Sequence, residues 1–265
     1  MVACCESYLL IGVGYTDHEG LILFNPTTRF YRLLPKVYVA NGADYVHFGL
    51  CHCLDDEFND DFKIVRLVQY NKPHTLREVI VYSLSTNSWK SIEFIQTTNQ
   101  LIADPVLIQN HLLVMIFYDG SRYDRLKRIG CFDMKAERWS NDVLLPDILL
   151  NKKCKGVLYH LGALEGQLRF SCYHVKKSTY SIWVMKDYGV KESWVKLMSV
   201  SGEGPNDVYH PIVYREGSSH ELLCIPNYSG KYYWYNLRDK QFIETGFDGE
   251  GLYRTKYSCA YVTAV

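Results

Sequence analysis

The sequence carries no surplus of charge of either sign: Lys and Arg number 29, and so do Asp and Glu. A chain without a cationic surplus lacks the electrostatic footprint of a non-specific nucleic-acid binder or of a protein held to anionic membranes, so neither nucleic acid nor membrane is expected as a partner. There is also no apolar run of about 18 residues, the length a helix needs to cross a bilayer. The stretch 8–13 is short and has no basic segment before it, so no secretory leader is expected. Nine cysteines, an odd number without regular spacing, argue against a disulfide framework and for a reducing compartment, cytoplasmic or nuclear. The sequon Asn227-Tyr228-Ser229 then carries no glycan. A glycine-rich phosphate loop, a Gly-x-Ser-x-Gly elbow and a His-Glu-x-x-His helix are all missing. Gly12-x-Gly14 lacks a third glycine and reads as a tight strand end. Helical stripes are scarce as well: Gly189 and Trp194 interrupt the candidate 186–200, and one helical turn is expected, near 97–102. The short basic runs 122–128 and 152–155 read as solvated loops. No Pro/Gly/Ser-rich linker divides the 265 residues, which implies a single domain, 1–265.

What the chain does have is tyrosine, 22 copies, a residue suited to half-buried strands and to recognition faces. It also has an internal repeat. Five times a strand-like run leads to a polar residue, a turn and then an aromatic. The copies are Phe24-Asn25-Pro26-Thr27-Thr28-Arg29-Phe30-Tyr31, Tyr82-Ser83-Leu84-Ser85-Thr86-Asn87-Ser88-Trp89, Phe132-Asp133-Met134-Lys135-Ala136-Glu137-Arg138-Trp139, Ile182–Trp194 with a turn four residues longer, and Tyr235-Asn236-Leu237-Arg238-Asp239-Lys240-Gln241-Phe242. Counted from positions 25, 83, 133, 184 and 236, the intervals are 58, 50, 51 and 52 residues. Each copy reads as a hairpin. Further strand candidates lie at 62–68, 106–117, 157–170, 212–225 and 253–265. A period near 50 is that of kelch-like propeller blades, so the expected fold is all-β, a kelch-like β-propeller or propeller-like arrangement of about five antiparallel blades.

Four motifs, in order, resemble the plant F-box-associated domain. They are Asn25-Pro26-Thr27-Thr28-Arg29 with Leu34-Pro35, then Phe48-Gly49-Leu50 running into Asp60-Asp61-Phe62-Lys63-Ile64-Val65-Arg66, then Val81–Trp89, and last Ile182-Trp183-Val184-Met185 through Tyr188-Gly189-Val190 to Ser193-Trp194. The likeness covers essentially the whole chain. It departs where Cys51-His52-Cys53 replaces the family's second glycine and the acidic residue after it. The segment Ile182–Trp194 is particularly similar to the pollen-expressed S-locus F-box proteins of self-incompatible plants.

The resemblance implies a protein-target recognition module of an F-box protein, the substrate receptor of an SCF-type E3 ubiquitin ligase, and not an enzyme. The S-locus likeness implies S-RNase, a secreted style ribonuclease, as the target. A SKP1-like adaptor and a cullin would be recruited only through an F-box, which these residues do not include. The chain is then expected to be a fragment or a truncated member, and a decoy that binds targets without a ligase is an alternative.

The residues themselves suggest little chemistry. His47, Cys51 and Cys53 share a strand parity, with His52 opposite, and are the best metal candidates, but buried reduced cysteines explain them better. The acidic run 55–61 begins like a calcium loop but has Asp60 where glycine is required and Arg66 where glutamate is required. No local context marks a cysteine nucleophile. Tyr31, Trp89, Trp139, Trp194 and Phe242 recur as packing residues and are not nominated as contacts. No catalytic, cofactor-binding or metal residue is assigned and no cofactor is expected; an enzyme with a metal site on a kelch-like propeller remains the rival. The segments expected to contact a protein target are 36–45, 69–77, 119–127, 173–180 and 202–210, loop-like stretches with Tyr, Arg and His among polar residues.

Overall fold

The computed structural model describes residues 3–5, 7–12, 20–37, 43–54, 60–70, 75–97, 100–118, 126–146, 157–201, 209–226 and 231–248. These form twenty strands in five four-stranded antiparallel sheets, and within every sheet the strand order follows the chain. The first sheet holds β1 (Ala3–Cys5), β2 (Tyr8–Gly12), β3 (Leu21–Asn25) and β4 (Phe30–Leu33). The second holds β5 (Ala43–Leu54), β6 (Asp60–Tyr70), β7 (Thr75–Ser83) and β8 (Ser88–Thr97). The third holds β9 (Gln100–Ile108), β10 (His111–Tyr118), β11 (Leu126–Asp133) and β12 (Arg138–Val143). The fourth comprises β13 (Val157–Leu164), β14 (Gln167–His174), β15 (Thr179–Met185) and β16 (Trp194–Ser201), and the fifth β17 (Tyr209–Tyr214), β18 (Glu221–Pro226), β19 (Lys231–Asn236) and β20 (Gln241–Asp248). The all-β, five-blade expectation is met. Sheets one to three make one compact unit, and sheets four and five make another.

Three sequence expectations need correction. The helical turn near 97–102 does not form among the described residues, because β8 runs to Thr97 and β9 starts at Gln100. The runs 106–117, 157–170 and 212–225 are each two strands and not one. Gln109 and Glu165, both with positive φ, fold the first two of them into tight hairpins. In the fourth copy Met185 pairs with Trp194 as Tyr82 pairs with Trp89. The register therefore makes Lys186 the counterpart of Ser83, and the insertion is two residues, not four. It is taken up by Gly189 at φ 80 and a short 3-10 turn, Lys191–Ser193. The candidate strand 253–265 lies outside the described residues.

The repeat has a clear physical content. Asn25, Asp133 and Asn236 each end a third strand, and one side-chain oxygen accepts the next two turn amides: Thr27 and Thr28, Lys135 and Ala136, Arg238 and Asp239, all at 2.8–3.1 Å. Ser83 does this with one bond, Thr86 N–H to Oγ at 3.3 Å. The fourth turn residue then sits in the left-handed region: Arg29, Asn87, Glu137 and Lys240, at φ 51–57. These are Asx-type turns, which is why short polar side chains recur at the first position.

Packing explains the strand compositions. In β6, Ile64, Val65, Arg66, Leu67 and Val68 are all buried. Ile64 meets Leu10, Leu23, Leu50 and Tyr82, in a cluster drawn from the first and second sheets. Val65 and Leu67 face the other way, onto Leu112, Val114 and Phe132 of the third. A strand covered on both faces loses the usual alternation and becomes a continuous apolar run. Each such aliphatic side chain contributes about 1.5–3 kcal/mol by leaving water. Sheets four and five share their own cluster, built on Ile182, Val184, Met198, Leu222 and Tyr235.

Polar side chains lock the sheets. Lys63 of β6 donates to Glu137 at 2.9 Å and to the carbonyls of Met134 and Lys135, so the second sheet grips the third sheet's turn. Lys90 donates to the other Glu137 oxygen at 2.9 Å. Burial opposes ionisation of Glu137, but the two ammonium groups outweigh it and hold the carboxyl below its usual range. A folded-state value below the unfolded one means that this stabilisation is complete above the ordinary carboxylate range and disappears as pH falls through the folded value.

Substitutions in the turns and at this bridge separate the two effects. Asp133→Ala should cost about 1 kcal/mol, and Lys240→Gly should stabilise by under about 1 kcal/mol, both read from urea midpoints. Glu137→Gln should cost about 1 kcal/mol near pH 7, and the gap from wild type should close between about pH 5 and pH 3. A gap that stays constant over that range would show that the bridge contributes nothing.

Candidate recognition surface

Alternating strand direction divides each sheet into two ends. The first and third hairpin turns lie at one end; the middle hairpin and the exit to the next sheet lie at the other. The turn end holds the regular four-residue turns and tight hairpins such as Gln109–Asn110 and Glu165–Gly166. All five segments expected to contact a target map to the opposite end. They connect β4 to β5, β6 to β7, β10 to β11, β14 to β15 and β16 to β17. Much of four of them (38–42, 71–74, 119–125 and 202–208) lies outside the described residues.

The fifth, 173–180, is described in full. Its tip is a 3-10 turn, Val175–Lys177, closed by Ser178 in the left-handed region. Val175, Lys176 and Lys177 are exposed and His174 is half-buried. Desolvation first, then Lys177 and Lys196, lower the His174 pKa, so the tip keeps its charge on the lysines. The tyrosines at either end are a correction to the sequence reading. Tyr173 and Tyr180 pair across β14 and β15 and are 3% and 2% exposed, packed toward the fifth sheet. Burial pushes the Tyr180 phenol up to about 12. They are core residues, since their strand parity matches Ile182 and Val184. His210 is also occupied: its ring lies 4.4 Å from that of His160.

The recurring aromatics pack as expected in four of five copies. Trp89 lies 5.1 Å from Tyr82 and donates its indole N–H to the Pro35 carbonyl at 2.8 Å. Trp194 makes the same bond to Leu144, at 2.9 Å, and is 7% exposed. Trp139 packs on Phe132 and Phe242 on Tyr235. Tyr31 is the exception, 70% exposed. It pairs with Phe24, on the face of the first sheet turned away from the second, whereas Leu10 and Leu23 take the packed face.

Residues whose roles the sequence did not reveal stand in the segment 60–66. Asp61 accepts from the Ser83 hydroxyl at 2.7 Å and the Ser85 amide at 2.9 Å. Arg66, 2% exposed, donates to the Val37 carbonyl at 3.2 Å and lies over the Phe48 ring. Arg66 and Trp89 thus hold the two ends of Pro35–Val37, which leads into one of the segments expected to contact a target. The clustering of charge in an otherwise apolar strand was the signal that could have disclosed this.

The metal candidates separate in space. A step of four residues along β5 sets His47 about 13 Å from Cys51, and Cys53 lies further still, too far for the three to share an ion. Among the described residues no group of three or more His, Cys, Asp or Glu side chains could hold a metal ion. The rest of the acidic run, 55–59, lies outside the described residues, as do 122–125 and 152–155. No described helix is long and apolar enough to cross a membrane.

Five antiparallel four-stranded sheets in chain order, with a recurring turn after each third strand, define a propeller-type scaffold. A family model, the F-box associated beta propeller domain, matches residues 1–264, and the chain belongs to that family. It is 29% identical to the F-box protein CPR1 of Arabidopsis thaliana, over 88% of this chain and 60% of that protein. It is 26% identical to an F-box/kelch-repeat protein of the same plant, over 76% of this chain and 53% of the relative. The chain thus spans between half and two thirds of the length of these curated relatives. Among solved structures it is similar to an oligogalacturonate lyase in complex with manganese, with TM-score 0.55 and 11% identity over 89% of this chain and 61% of that one. At that identity the likeness speaks to the fold alone.

Trp89→Phe removes one indole hydrogen bond and should lower stability by about 1 kcal/mol, with Tyr31→Ser near neutral. Equal losses at the two positions in thermal unfolding would contradict the packing difference.

Proposed function

We propose that this chain is the target-recognition module of an F-box protein, binding a protein substrate through the sheet ends that carry the middle hairpins and the sheet-to-sheet connections. The match of the family model to residues 1–264 carries this reading. In it the chain performs no chemistry. It holds a target while a SKP1-like adaptor and a cullin, recruited by an F-box, bring the ubiquitin-transfer machinery. Loops on a rigid scaffold are where such specificity sits, because they vary without disturbing the core. The likeness of Ile182–Trp194 to S-locus F-box proteins supports S-RNase as the target class and self-incompatibility as the setting.

The described tip supplies a direct test. Lys176→Glu with Lys177→Glu reverses two exposed charges and touches no core residue, so the melting temperature should hold. Affinity for a captured target should fall several-fold, mainly through slower association and altered salt dependence. Unchanged binding for this pair and for matching charge reversals at 69–77 and 119–127 would overturn the placement of the surface. Purified style ribonuclease should bind saturably; failure to do so would remove the S-RNase assignment and leave the general reading intact.

A further inference from the structure

Cys51 and Cys53 project from one face of β5, with their sulfurs 3.4 Å apart. They are 1% and 4% exposed, in the cluster that Val65, Leu112, Phe132 and Met134 help to form between the second and third sheets. The two-residue tip of the β9–β10 hairpin caps Cys51, whose Sγ reaches Asn110 Oδ1 at 3.3 Å and the Gln109 carbonyl at 3.9 Å. Gln109 is exposed and Asn110 half-buried, so an excursion of this one hairpin tip opens the Cys51 side of the pair without global unfolding. Lys63 is the cross-strand partner of Cys51, and its ammonium favours the thiolate at both positions.

From this geometry we propose that Cys51 and Cys53 form a dithiol site, which a small disulfide of the oxidised-glutathione class converts reversibly to an intramolecular disulfide. Residues two apart on a strand have Cα atoms about 6.6–6.8 Å apart, at the upper limit that a disulfide bridges. The bond therefore closes only by compressing β5 locally, which makes it strained and easily reduced, as in regulatory disulfides. Cys53 is the attacking sulfur. It is the more exposed of the two, at 4% against 1%, and the nearby Lys63 ammonium favours its thiolate. The Cys53 thiolate attacks one sulfur of the small disulfide and expels a thiolate, leaving a mixed disulfide. Cys51 then gives up its proton and attacks the Cys53 sulfur, expelling the second thiolate. The two protons released by the cysteines neutralise the two leaving thiolates. In sum, two cysteine thiols and one disulfide give one Cys51–Cys53 disulfide and two small thiols, with two electrons passing to the reagent. Closure withdraws Cys51 from Asn110, at the place where the second sheet packs on the third.

The test treats the full chain with oxidised glutathione under native conditions, then acid quench, alkylation and peptide mass mapping. Wild type should lose two alkylatable thiols with no retained adduct, the bond should map to Cys51 and Cys53, and dithiothreitol should restore both. Cys51→Ser should stop at a stable glutathione adduct on Cys53, and Cys53→Ser should slow modification of Cys51 about tenfold or more. Asn110→Ala keeps both sulfurs and loosens their cover, so it should oxidise several-fold faster, which tests the site even where a serine variant fails to fold. Three results would each overturn the proposal: a bond that maps to other cysteines, both thiols intact while half-buried Cys5 reacts, or a rate that tracks global unfolding in urea.

Discussion

The second sheet is covered on both faces, and that constraint governs the rest of its unit. A strand in this position cannot discard polar atoms into solvent, so every charged group on β6 must pass its hydrogen bonds to a neighbour. Lys63 passes them to the third sheet's turn, and Arg66 to the carbonyl of Val37 after the first sheet. An uncompensated buried guanidinium would cost several kcal/mol. The bonds these side chains make also join sheets that burial alone would only press together. Side-chain desolvation thereby helps to fix where the first three sheets sit against one another.

The same division of labour separates scaffold from recognition. At the turn end, one Asx oxygen captures two amides and a left-handed residue closes the loop, so the geometry is completed within six residues. Nothing more is asked of that sequence, and it repeats. At the opposite end the connections close no Asx motif of this kind among the described residues, and they are free to differ. Trp89 and Arg66 hold the first residues of one connection, Pro35 and Val37, and Trp194 holds Leu144, the first residue of another. In the proposed reading, specificity and stability are encoded in different residues of one repeat.

How far the sequence reveals this depends on whether the cause is local. The third hairpin turns were legible because a polar residue followed six positions later by an aromatic is a local pattern. The hairpins at 109–110 and 165–166 were not, because both flanking strands are apolar and only a positive φ at Gln109 or Glu165 separates them. The two-residue insertion in the fourth copy was misjudged for a related reason: only the pairing of Met185 with Trp194 tells where the turn begins. At the surface, Tyr173 and Tyr180 have the composition of a recognition loop but the strand parity of a core. Composition could not place them, whereas the register of β14 on β15 does.

Close approach of the second and third sheets explains the departure at Cys51-His52-Cys53. Gly49 shares the face of Cys51 and Cys53, and a Cβ there would stand 2.6 Å from Leu112 Cδ1 and 3.1 Å from Val65 Cγ1. This face of β5 therefore accepts little volume. Cysteine is among the smallest apolar side chains that still fill space, and its thiol can bond weakly to Asn110. A larger residue at 51 or 53 would have to displace Leu112 or the hairpin tip, at about 1–3 kcal/mol for an overpacked core. Two small residues on one strand face must also lie near each other, so the packing limit that selects cysteine also brings the two sulfurs to 3.4 Å. The dithiol arises from steric demand between sheets, and its reactivity depends on how thin a cover the third sheet leaves over it.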